Sequence, residues 1–225
     1  MEQLILQELG EGFLVTLALF FVTLIVSLPL GLLITFCTMA KIAPLKYLFK
    51  GIVWVIRGTP LMLQILFISF IPSMMNIMNK DLAKVLGVSI NNLMFIFVAV
   101  AFIINYACYF SEIFRGAIES IPQGQYEAGK ALGMTKLQVF TKVIFMQVVK
   151  RVSAPISNEV ITLVKDTALA QVLGVVDLLS ASKHAVNTYV VLTPFLYASV
   201  FYLAFNGALT LLFGWLEKKL AYIRE

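Results

Sequence analysis

Long uninterrupted apolar segments constrain this chain more than any other feature of its sequence. Three of them, 12–35, 90–107 and 189–213, reach or exceed the roughly 18 residues that a helix needs to cross a bilayer. Hydrophobic residues make up 60% of the 225 residues and charged residues only 13%, about half the charged share of an average soluble domain. We therefore expect an all-α integral membrane protein, because helices satisfy every backbone polar group within the segment.

The pattern of hydropathy predicts five transmembrane spans within one domain, 1–225. The predicted spans are 12–36, 53–72, 92–113, 143–165 and 189–214. The acidic N-terminal segment lacks the basic region and cleavage site of a signal peptide, so we expect the first span to be permanent.

Lysine and arginine residues outside the spans predict how the chain is oriented. Twelve of them fall on one side of the predicted membrane and three on the other. Because cytoplasmic loops carry the excess of Lys and Arg, the N-terminus is predicted to lie outside and the C-terminus in the cytoplasm. The inner group is Lys41, Lys46, Lys50, Arg115, Lys130, Lys136, Lys142, Lys150, Arg151, Lys218, Lys219 and Arg224, and the outer group is Lys80, Lys84 and Lys183. This distribution accounts for the net charge of +5, so that charge does not indicate a nucleic-acid partner.

The longest cytoplasmic connection, 116–142, carries signals for helices of its own. Pro122 is tolerated in the first turn of a helix, and Gly133 supplies a glycine stop. Thr135 and Gln138 then match the S/T-x-x-E/Q pattern of a capping box. The pattern predicts a short cytoplasmic helix, a turn and a second helix, which an ordinary hairpin between two spans would also show.

Part of this connection resembles a nucleotide-binding loop without its chemistry. Gly124, Gly129 and Lys130 match the G-x-x-x-x-G-K spacing, but Ala131 stands where the magnesium-binding hydroxyl is needed, and no buried strand precedes it. Cys37 and Cys108 also lack the spacing of a metal site. We therefore expect no ATP site and no metal site in this chain.

The fourth predicted span carries a polar stripe. At about 100° per residue, five of its side chains fall within an arc of about 120°. They are Asn158, Glu159, Thr162, Lys165 and Asp166. Glu159 is predicted to lie near the middle of the hydrocarbon core, where a carboxylate needs a partner or water. Two interpretations stay open: an ion pair with Lys165 or Arg57, or a site for the ammonium or cationic group of a transported molecule.

Other polar residues fall at similar depths in the predicted spans. Asn105 in span three offers a donor and an acceptor. Thr59 and Pro60 interrupt span two, where proline frees a carbonyl that a neighbour, water or ligand must satisfy. Gln64 on span two and Thr16 on span one could equally serve helix packing. The predicted substrate path is Glu159, Asn105, Thr59, Gln64, Thr16, Asn158 and Thr162.

The segment 121–133, IPQGQYEAGKALG, resembles the EAA loop of ABC importer permeases, in which EAA is followed three residues later by glycine. Gly129 stands where the family often has alanine, and Met146 where relatives usually have proline. The resemblance implies a helix that docks into a cleft of the ATPase subunit, so that closure of the ATPase dimer moves the spans. Its coupling residues would be Gly124, Glu127, Ala128, Gly129, Leu132 and Gly133.

Three further segments resemble the subfamily of these permeases that takes up polar amino acids. They are RGTPLMLQ at 57–64, YFSEIFRGAI at 109–118 and NEVITLVKDTAL at 158–169, where Ala168 departs from the more common serine. The resemblance implies the five-span membrane domain of a type I importer, placed in the inner membrane of a prokaryote. It implies two ABC ATPase subunits that bind ATP and Mg²⁺, a second permease copy or paralogue, and an extracytoplasmic amino acid-binding protein, in addition to membrane lipid.

The function expected from these features is inward translocation of a polar amino acid by alternating access. A channel or an ion-coupled carrier would also place polar residues at mid-membrane, although the EAA-like loop argues against both. A membrane-embedded enzyme would need a convergent catalytic cluster, which Glu159 and the distant His184 do not form. The transported amino acid and its charge class stay open.

Overall fold

The computed structural model describes residues 2–221, which are almost entirely helical and contain no strand in that range. Its α-helices, in chain order, are α1 Glu2–Thr38, α2 Ala43–Gly58, α3 Leu61–Met74, α4 Asn79–Leu86, α5 Ile90–Glu119, α6 Gln123–Ala131, α7 Lys136–Val139, α8 Phe145–Asp166, α9 Leu178–Tyr189 and α10 Thr193–Leu220. A π-helical turn, Phe140–Ile144, leads into α8, and a 3₁₀ segment, Thr167–Leu173, follows it. Arg224, counted above among the inner charges, lies outside the described residues.

The membrane-crossing elements match the predicted spans, with one change of shape. Within residues 2–221, α1, α5 and α10 are each long and apolar enough to cross a membrane, and α2 and α3 qualify together as a bent pair. The 22 residues of α8 extend about 33 Å, enough to cross a core about 30 Å thick. Its polar stripe makes α8 too hydrophilic to be recognised as a span by composition alone.

The second predicted span, 53–72, is not one helix. It is divided between α2 and α3, whose axes are bent by 110° at the break. Thr59 and Pro60 both have extended backbone there, with ψ of 145° and 133°. Proline lacks the N–H that would continue the helix and disfavours helical geometry at the residue before it. The break therefore follows from the sequence, and the angle follows from packing.

The close approach of α1 and α5 forms the centre of the bundle. A Cβ added at Gly31 would lie 2.8 Å from Phe110 Cβ and 2.9 Å from Ala107 O, so only glycine fits at this crossing. Thr35, fully buried, donates its hydroxyl to Gly31 O over 2.8 Å and to Ser111 O over 2.9 Å. Small residues and interhelical hydrogen bonds are the usual means of packing helices in lipid, where the hydrophobic effect does not draw them together.

The predicted cytoplasmic connection has the expected internal structure. Helix α6 ends at Ala131 with Leu132 as its C-cap, and Gly133 adopts a positive φ of +71°. Both halves of the capping box form: Gln138 N donates to Thr135 Oγ1 over 3.3 Å, and Thr135 N donates to Gln138 Oε1 over 2.8 Å. The glycine stop and the capping box are thus confirmed.

The outer surface of the long helices is apolar. Its strongly exposed side chains include Ile25, Leu33, Val200, Leu203 and Leu211. Monomeric soluble proteins rarely expose apolar area on this scale. The hydrocarbon of the bilayer accounts for it.

Candidate functional site

A cavity of about 490 Å³ opens where the break between α2 and α3 faces α5 and α8. It is lined by Arg57, Gly58, Thr59, Pro60, Leu61, Asn105, Tyr106, Tyr109, Glu159, Thr162 and Asp166. We call it the central cavity. It gathers polar side chains from three elements of an otherwise apolar bundle.

Four residues of the predicted substrate path line the central cavity: Thr59, Asn105, Glu159 and Thr162. On α8, Glu159, Thr162 and Asp166 are spaced by three and four residues, so they share one face of the helix. Asn105 is buried on α5. Three of the five residues of the polar stripe read from the sequence therefore face the central cavity.

Gln64 lies beside the central cavity but its side chain is used by the fold. Its Nε2 donates to Ile56 O over 2.7 Å and to Thr59 O over 3.1 Å, and its Oε1 accepts from Asn105 Nδ2 over 3.0 Å. Ile56 O is the carbonyl that the fourth residue on, Pro60, cannot satisfy because proline has no N–H. Gln64 supplies the missing donor and joins the break to α5.

Thr16 and Asn158 are placed away from the central cavity. Thr16 is fully buried, donates to Gly12 O over 3.1 Å and accepts from Leu178 N over 3.1 Å. Its hydroxyl therefore links α1 to the first turn of α9, although the two helices are far apart in sequence. Asn158 is exposed, because the arc of about 120° is wider than the part of α8 that the cavity covers.

The charges around Glu159 do not form the ion pair that the sequence left open. Within residues 2–221, Glu159 has no cationic partner within 4.0 Å. Arg57 instead lies 3.5 Å from Glu112 Oε2 and 5.1 Å from the centroid of the Tyr109 ring. Lys165 is exposed on another part of α8. The half-buried Glu159 carboxylate thus faces the cavity.

Sequence reasoning missed the two tyrosines of this site, and it placed Asp166 on the polar stripe without including it in the predicted substrate path. Tyr106 donates its hydroxyl to Asp166 Oδ2 over 2.7 Å, and Tyr109 stands one turn further along α5. Two signals could have found them. Tyr109 follows Asn105 by four residues, which places them on one helix face, and Asp166 follows Glu159 by seven.

A second cavity, of about 640 Å³, lies beside the central one on the side of the predicted cytoplasmic loop. Its lining is Arg57, Glu112, Ile113, Gly116, Ala117, Ser120, Arg151 and Pro155. We call it the inner cavity. Arg57 is the one residue named in both linings, so its side chain stands between the two cavities.

The wall between the cavities is built from charged pairs. Glu112 accepts from Arg115 Nε over 2.9 Å and from Arg115 Nη2 over 2.6 Å, which fixes the carboxylate that Arg57 approaches. On the opposite side of the inner cavity, Arg151 Nη1 donates to Ser120 O over 2.6 Å. Of these side chains, Arg57 lies between the two cavities and is held at one side by Glu112.

Relatives with known names cover nearly the whole chain. The chain is 33% identical over 211 residues to the arginine transport system permease protein ArtQ of Bacillus subtilis, covering 93% of this chain and 91% of that protein. It is 33% identical over 170 residues to the L-cystine transport system permease protein TcyB of the same organism, covering 76% and 67%. The arginine ABC transporter permease protein ArtM of Haemophilus influenzae is 32% identical over 216 residues, covering 95% and 92%.

Solved structures share the arrangement of the helices. A crystal structure of an amino acid ABC transporter with histidines matches with a TM-score of 0.80 at 28% identity, covering 95% of this chain and 94% of that one. The methionine ABC transporter MetNI in an inward-facing conformation matches with a TM-score of 0.67 at 18% identity, which shows the fold alone.

A family model agrees with these likenesses. The family described as the inner membrane component of binding-protein-dependent transport systems matches residues 27–222, which include every span from the second to the fifth. With the fold, the loop and the cavity in place, this match is decisive: the chain belongs to the family of inner membrane components of binding-protein-dependent transport systems and is a permease subunit.

Proposed function

We propose that this permease carries a polar amino acid inward through the central cavity, driven by separate ATPase subunits. The observation that carries the proposal is the composition of that cavity, in which the carboxyl groups of Glu159 and Asp166 face the space that Arg57 also lines. A free amino acid has an ammonium and a carboxylate, and the cavity offers a partner of opposite charge for each. The relatives named for arginine and cystine transport support the same substrate class.

Asn105 and Thr162 would add hydrogen bonds to the bound substrate. The Asn105 Nδ2 group already donates to Gln64, so Asn105 would bind the substrate through its side-chain oxygen, which can accept a hydrogen bond. Tyr106 would hold Asp166 in place through the 2.7 Å hydrogen bond. The site would therefore recognise the backbone of an amino acid, and its side chain would occupy the rest of the cavity.

Alternating access would require the Arg57 wall to open. Arg57 stands between the central and inner cavities, and its 3.5 Å contact with Glu112 is looser than the bidentate contact of Glu112 with Arg115. Movement of α2 relative to α5 would break the weaker contact and join the two cavities. The substrate and the ATPase subunits could then each shift the equilibrium between the closed and open states of this wall.

The loop around α6 would transmit the force of ATP hydrolysis. Gly124, Glu127, Ala128, Leu132 and Gly133 are all exposed, and Leu132 is 80% exposed, which is unusual for a leucine that faces water. Gly129, by contrast, is buried against Val139. Five of the six coupling residues would thus form a docking surface, and Gly129 would support it from beneath.

The complete transporter would contain two ATPase subunits that bind ATP and Mg²⁺, with no nucleotide bound by this chain. A second permease copy or paralogue and an extracytoplasmic binding protein would complete it. Support comes from the family description, which names dependence on a binding protein, and from the ABC transporters among the structural neighbours.

The experiment that tests the substrate path is ATP-dependent uptake of labelled amino acids by proteoliposomes containing the assembled complex. Glu159→Gln should abolish uptake while complex assembly and basal ATP hydrolysis persist. Glu2→Gln, an exposed carboxylate far from the cavity, is the matched control and should transport normally. Equal uptake by the two variants would remove Glu159 from the path.

The same vesicles separate the importer from a carrier or channel. With an ATPase subunit that binds but does not hydrolyse ATP, an importer stops, whereas a carrier or channel continues. Leu132→Ala should weaken ATPase docking and reduce transport, with Leu137→Ala, which is 71% exposed on α7, as its comparison. Uptake that persists without hydrolysis would overturn the proposal.

A further inference from the structure

Helix α2 has the composition of a helix that lies along a membrane surface. Lys46 and Lys50 are one turn apart, and the rings of Tyr47 and Trp54 are 69% and 78% exposed. Lysines and amphipathic aromatic residues together are typical of helices at the boundary between headgroups and acyl chains. Since α2 and α3 are bent by 110°, both cannot run across the bilayer. The uncharged α3 is the one suited to enter the hydrocarbon core, which leaves α2 near the surface predicted to be cytoplasmic.

A small cationic pocket lies between α2 and the inner end of α5. It has a volume of about 210 Å³ and is lined by Lys50, Val53, Trp54, Arg57, Glu112 and Arg115. Three of these side chains are cations and one is an anion. The pocket shares Arg57 with the central cavity, whose lining includes neither Lys50 nor Trp54.

The carboxylates near this pocket do not neutralise all of its cationic side chains. Arg115 is bound to both Glu112 and Glu119, at 2.6 Å each, and Arg57 reaches only the already occupied Glu112. Among the described residues, no carboxylate lies within 4.0 Å of Lys50. The pocket therefore favours an anion that reaches Lys50 beside the Trp54 ring.

An apolar groove lies between α2, α3 and α5, on the opposite face of α2 from the pocket, and shares no lining residue with the pocket. Its volume is about 740 Å³, and its lining includes Val55 and Ile56 of α2, Leu63 and Phe67 of α3, and Ala101 and Ile104 of α5. At about 100° per residue, the α5 residues of the groove and of the pocket fall within an arc of about 80°, so both lie on the same face of α5.

The spacing along α5 matches one leaflet of a membrane. Ile104 and Glu112 are eight residues apart, or about 12 Å along the helix axis, and Ala101 and Arg115 are about 21 Å apart. One leaflet contributes about 15 Å of hydrocarbon. Along α5, the cationic pocket therefore lies at the depth of the headgroups when the apolar groove lies near the middle of the bilayer.

We propose that α2, α3 and α5 bind an anionic phospholipid of the cytoplasmic leaflet. Its headgroup phosphate lies at Lys50 against Trp54, and its acyl chains lie in the hydrocarbon against the exposed apolar side chains of α2 and α3. Basic pockets between membrane helices on the cytoplasmic side suit such headgroups, and each lysine or arginine near the surface contributes about 1 kcal/mol, which is about fivefold in binding. The inference does not depend on which substrate the permease carries.

The test uses Trp54 as the reporter. Trp54 and Trp215 are the two tryptophans of the sequence, so the full chain with Trp215→Phe carries a single indole at the proposed site. It is reconstituted into vesicles in which brominated phosphatidylglycerol or brominated phosphatidylcholine replaces part of the lipid. Quenching by the anionic lipid should reach half its maximum at a mole fraction several-fold lower than quenching by the zwitterionic lipid.

Two variants make the result specific. Lys50→Gln should reduce the preference for the anionic lipid by about fivefold. Lys84→Gln, which removes an exposed lysine on the opposite side, should leave the preference unchanged. Equal effects of the two variants would mean that Lys50 does not hold the headgroup, and the proposal would fail.

The remaining outcomes distinguish other occupants of the same surface. No quenching by either lipid would show that a second copy of the chain covers α2, and equal quenching by both would show nonselective lipid contact. A loss of quenching on adding millimolar inorganic phosphate would identify a soluble anion as the ligand. Each of these results would overturn the proposal.

Discussion

Asn105 on α5 donates its side-chain amide to Gln64 Oε1 over 3.0 Å, and Gln64 donates in turn to Ile56 O over 2.7 Å. This pair links a residue of the central cavity to the carbonyl that Pro60 leaves without a donor. The break in the second span is therefore held open by a side-chain substitute for the missing backbone hydrogen bond. The cavity exists because the helix is interrupted there and its polar groups remain satisfied.

The substitute hydrogen bond predicts a stability cost at Gln64. Gln64→Leu should lower the free energy of unfolding by about 1–3 kcal/mol, because the partly buried Ile56 carbonyl then keeps only the 3.3 Å hydrogen bond from Thr59 Oγ1 and Asn105 loses its acceptor. Thermal unfolding of the purified protein in detergent micelles measures the effect. Gln7→Leu is the matched control, since Gln7 is exposed and makes only a 3.5 Å contact with Glu11. Identical melting temperatures for the two variants would contradict this role of Gln64.

The crossing of α1 and α5 predicts intolerance of a single methyl group at Gly31. Gly31→Ala places a Cβ 2.8 Å from Phe110 Cβ and 2.9 Å from Ala107 O, neither of which is the end of a flexible side chain. Separating the helices should destabilise the protein by about 1–3 kcal/mol. Gly207→Ala has no neighbouring atom within 4 Å and should be neutral or slightly stabilising. The prediction fails if both variants yield the same amount of folded protein with the same melting temperature.

The close contact between Gly129 and Val139 predicts that an added methyl group at Gly129 disturbs the coupling loop. An added Cβ would lie 2.6 Å from Val139 Cγ2, so Gly129→Ala should displace α6 from α7 although alanine is common at this position in the family. ATPase binding and transport should both fall. Gly124→Ala, where no atom lies within 4 Å, serves as the control for the added methyl group.

A second substitution isolates the cause at Gly129. Val139→Ala removes the methyl group that would collide, so the double variant Gly129→Ala, Val139→Ala should recover ATPase binding relative to Gly129→Ala alone. The non-additivity of the pair is the measured quantity. Strictly additive losses would show that the methyl group added at Gly129 disturbs the ATPase contact directly and does not act by colliding with Val139.

Asp177, outside the membrane-spanning segments, predicts a pH dependence. Its carboxylate accepts from Ser180 N over 3.0 Å and caps α9, while burial raises its pKa from 3.8 to about 6. A raised pKa means that the folded protein holds the proton more tightly than the unfolded chain. The stabilisation is therefore complete below about pH 4 and is lost as the pH rises through about 6.

The measurement compares melting temperatures of the wild type and Asp177→Asn from about pH 4 to about pH 7. Asparagine keeps a capping oxygen but does not titrate. The stability of the wild type relative to this variant should fall as the pH rises across that window. A difference that is constant, or that grows in favour of the wild type, would show that Asp177 does not titrate in this way.

The sequence by itself determined the features that depend on neighbouring residues. Hydropathy predicted the membrane-crossing segments, the residues Thr135 and Gln138 predicted a capping box, and Gly133 predicted a stop, because each signal operates within a few positions. Helical periodicity alone placed Glu159 and Thr162 on one face of α8. The interruption at Thr59 and Pro60 was also predicted, since proline acts locally.

The tertiary structure decided which polar residues meet and which serve packing. Asn105 and Gln64 are 41 positions apart, Tyr106 and Asp166 are 60 apart, and Thr16 and Leu178 are 162 apart. Residues at such separations are brought together by the packing of whole helices, which no local pattern encodes. For that reason Thr16 was placed in the substrate path by depth alone, and the position of Arg57 between two cavities became visible only when the helices were assembled.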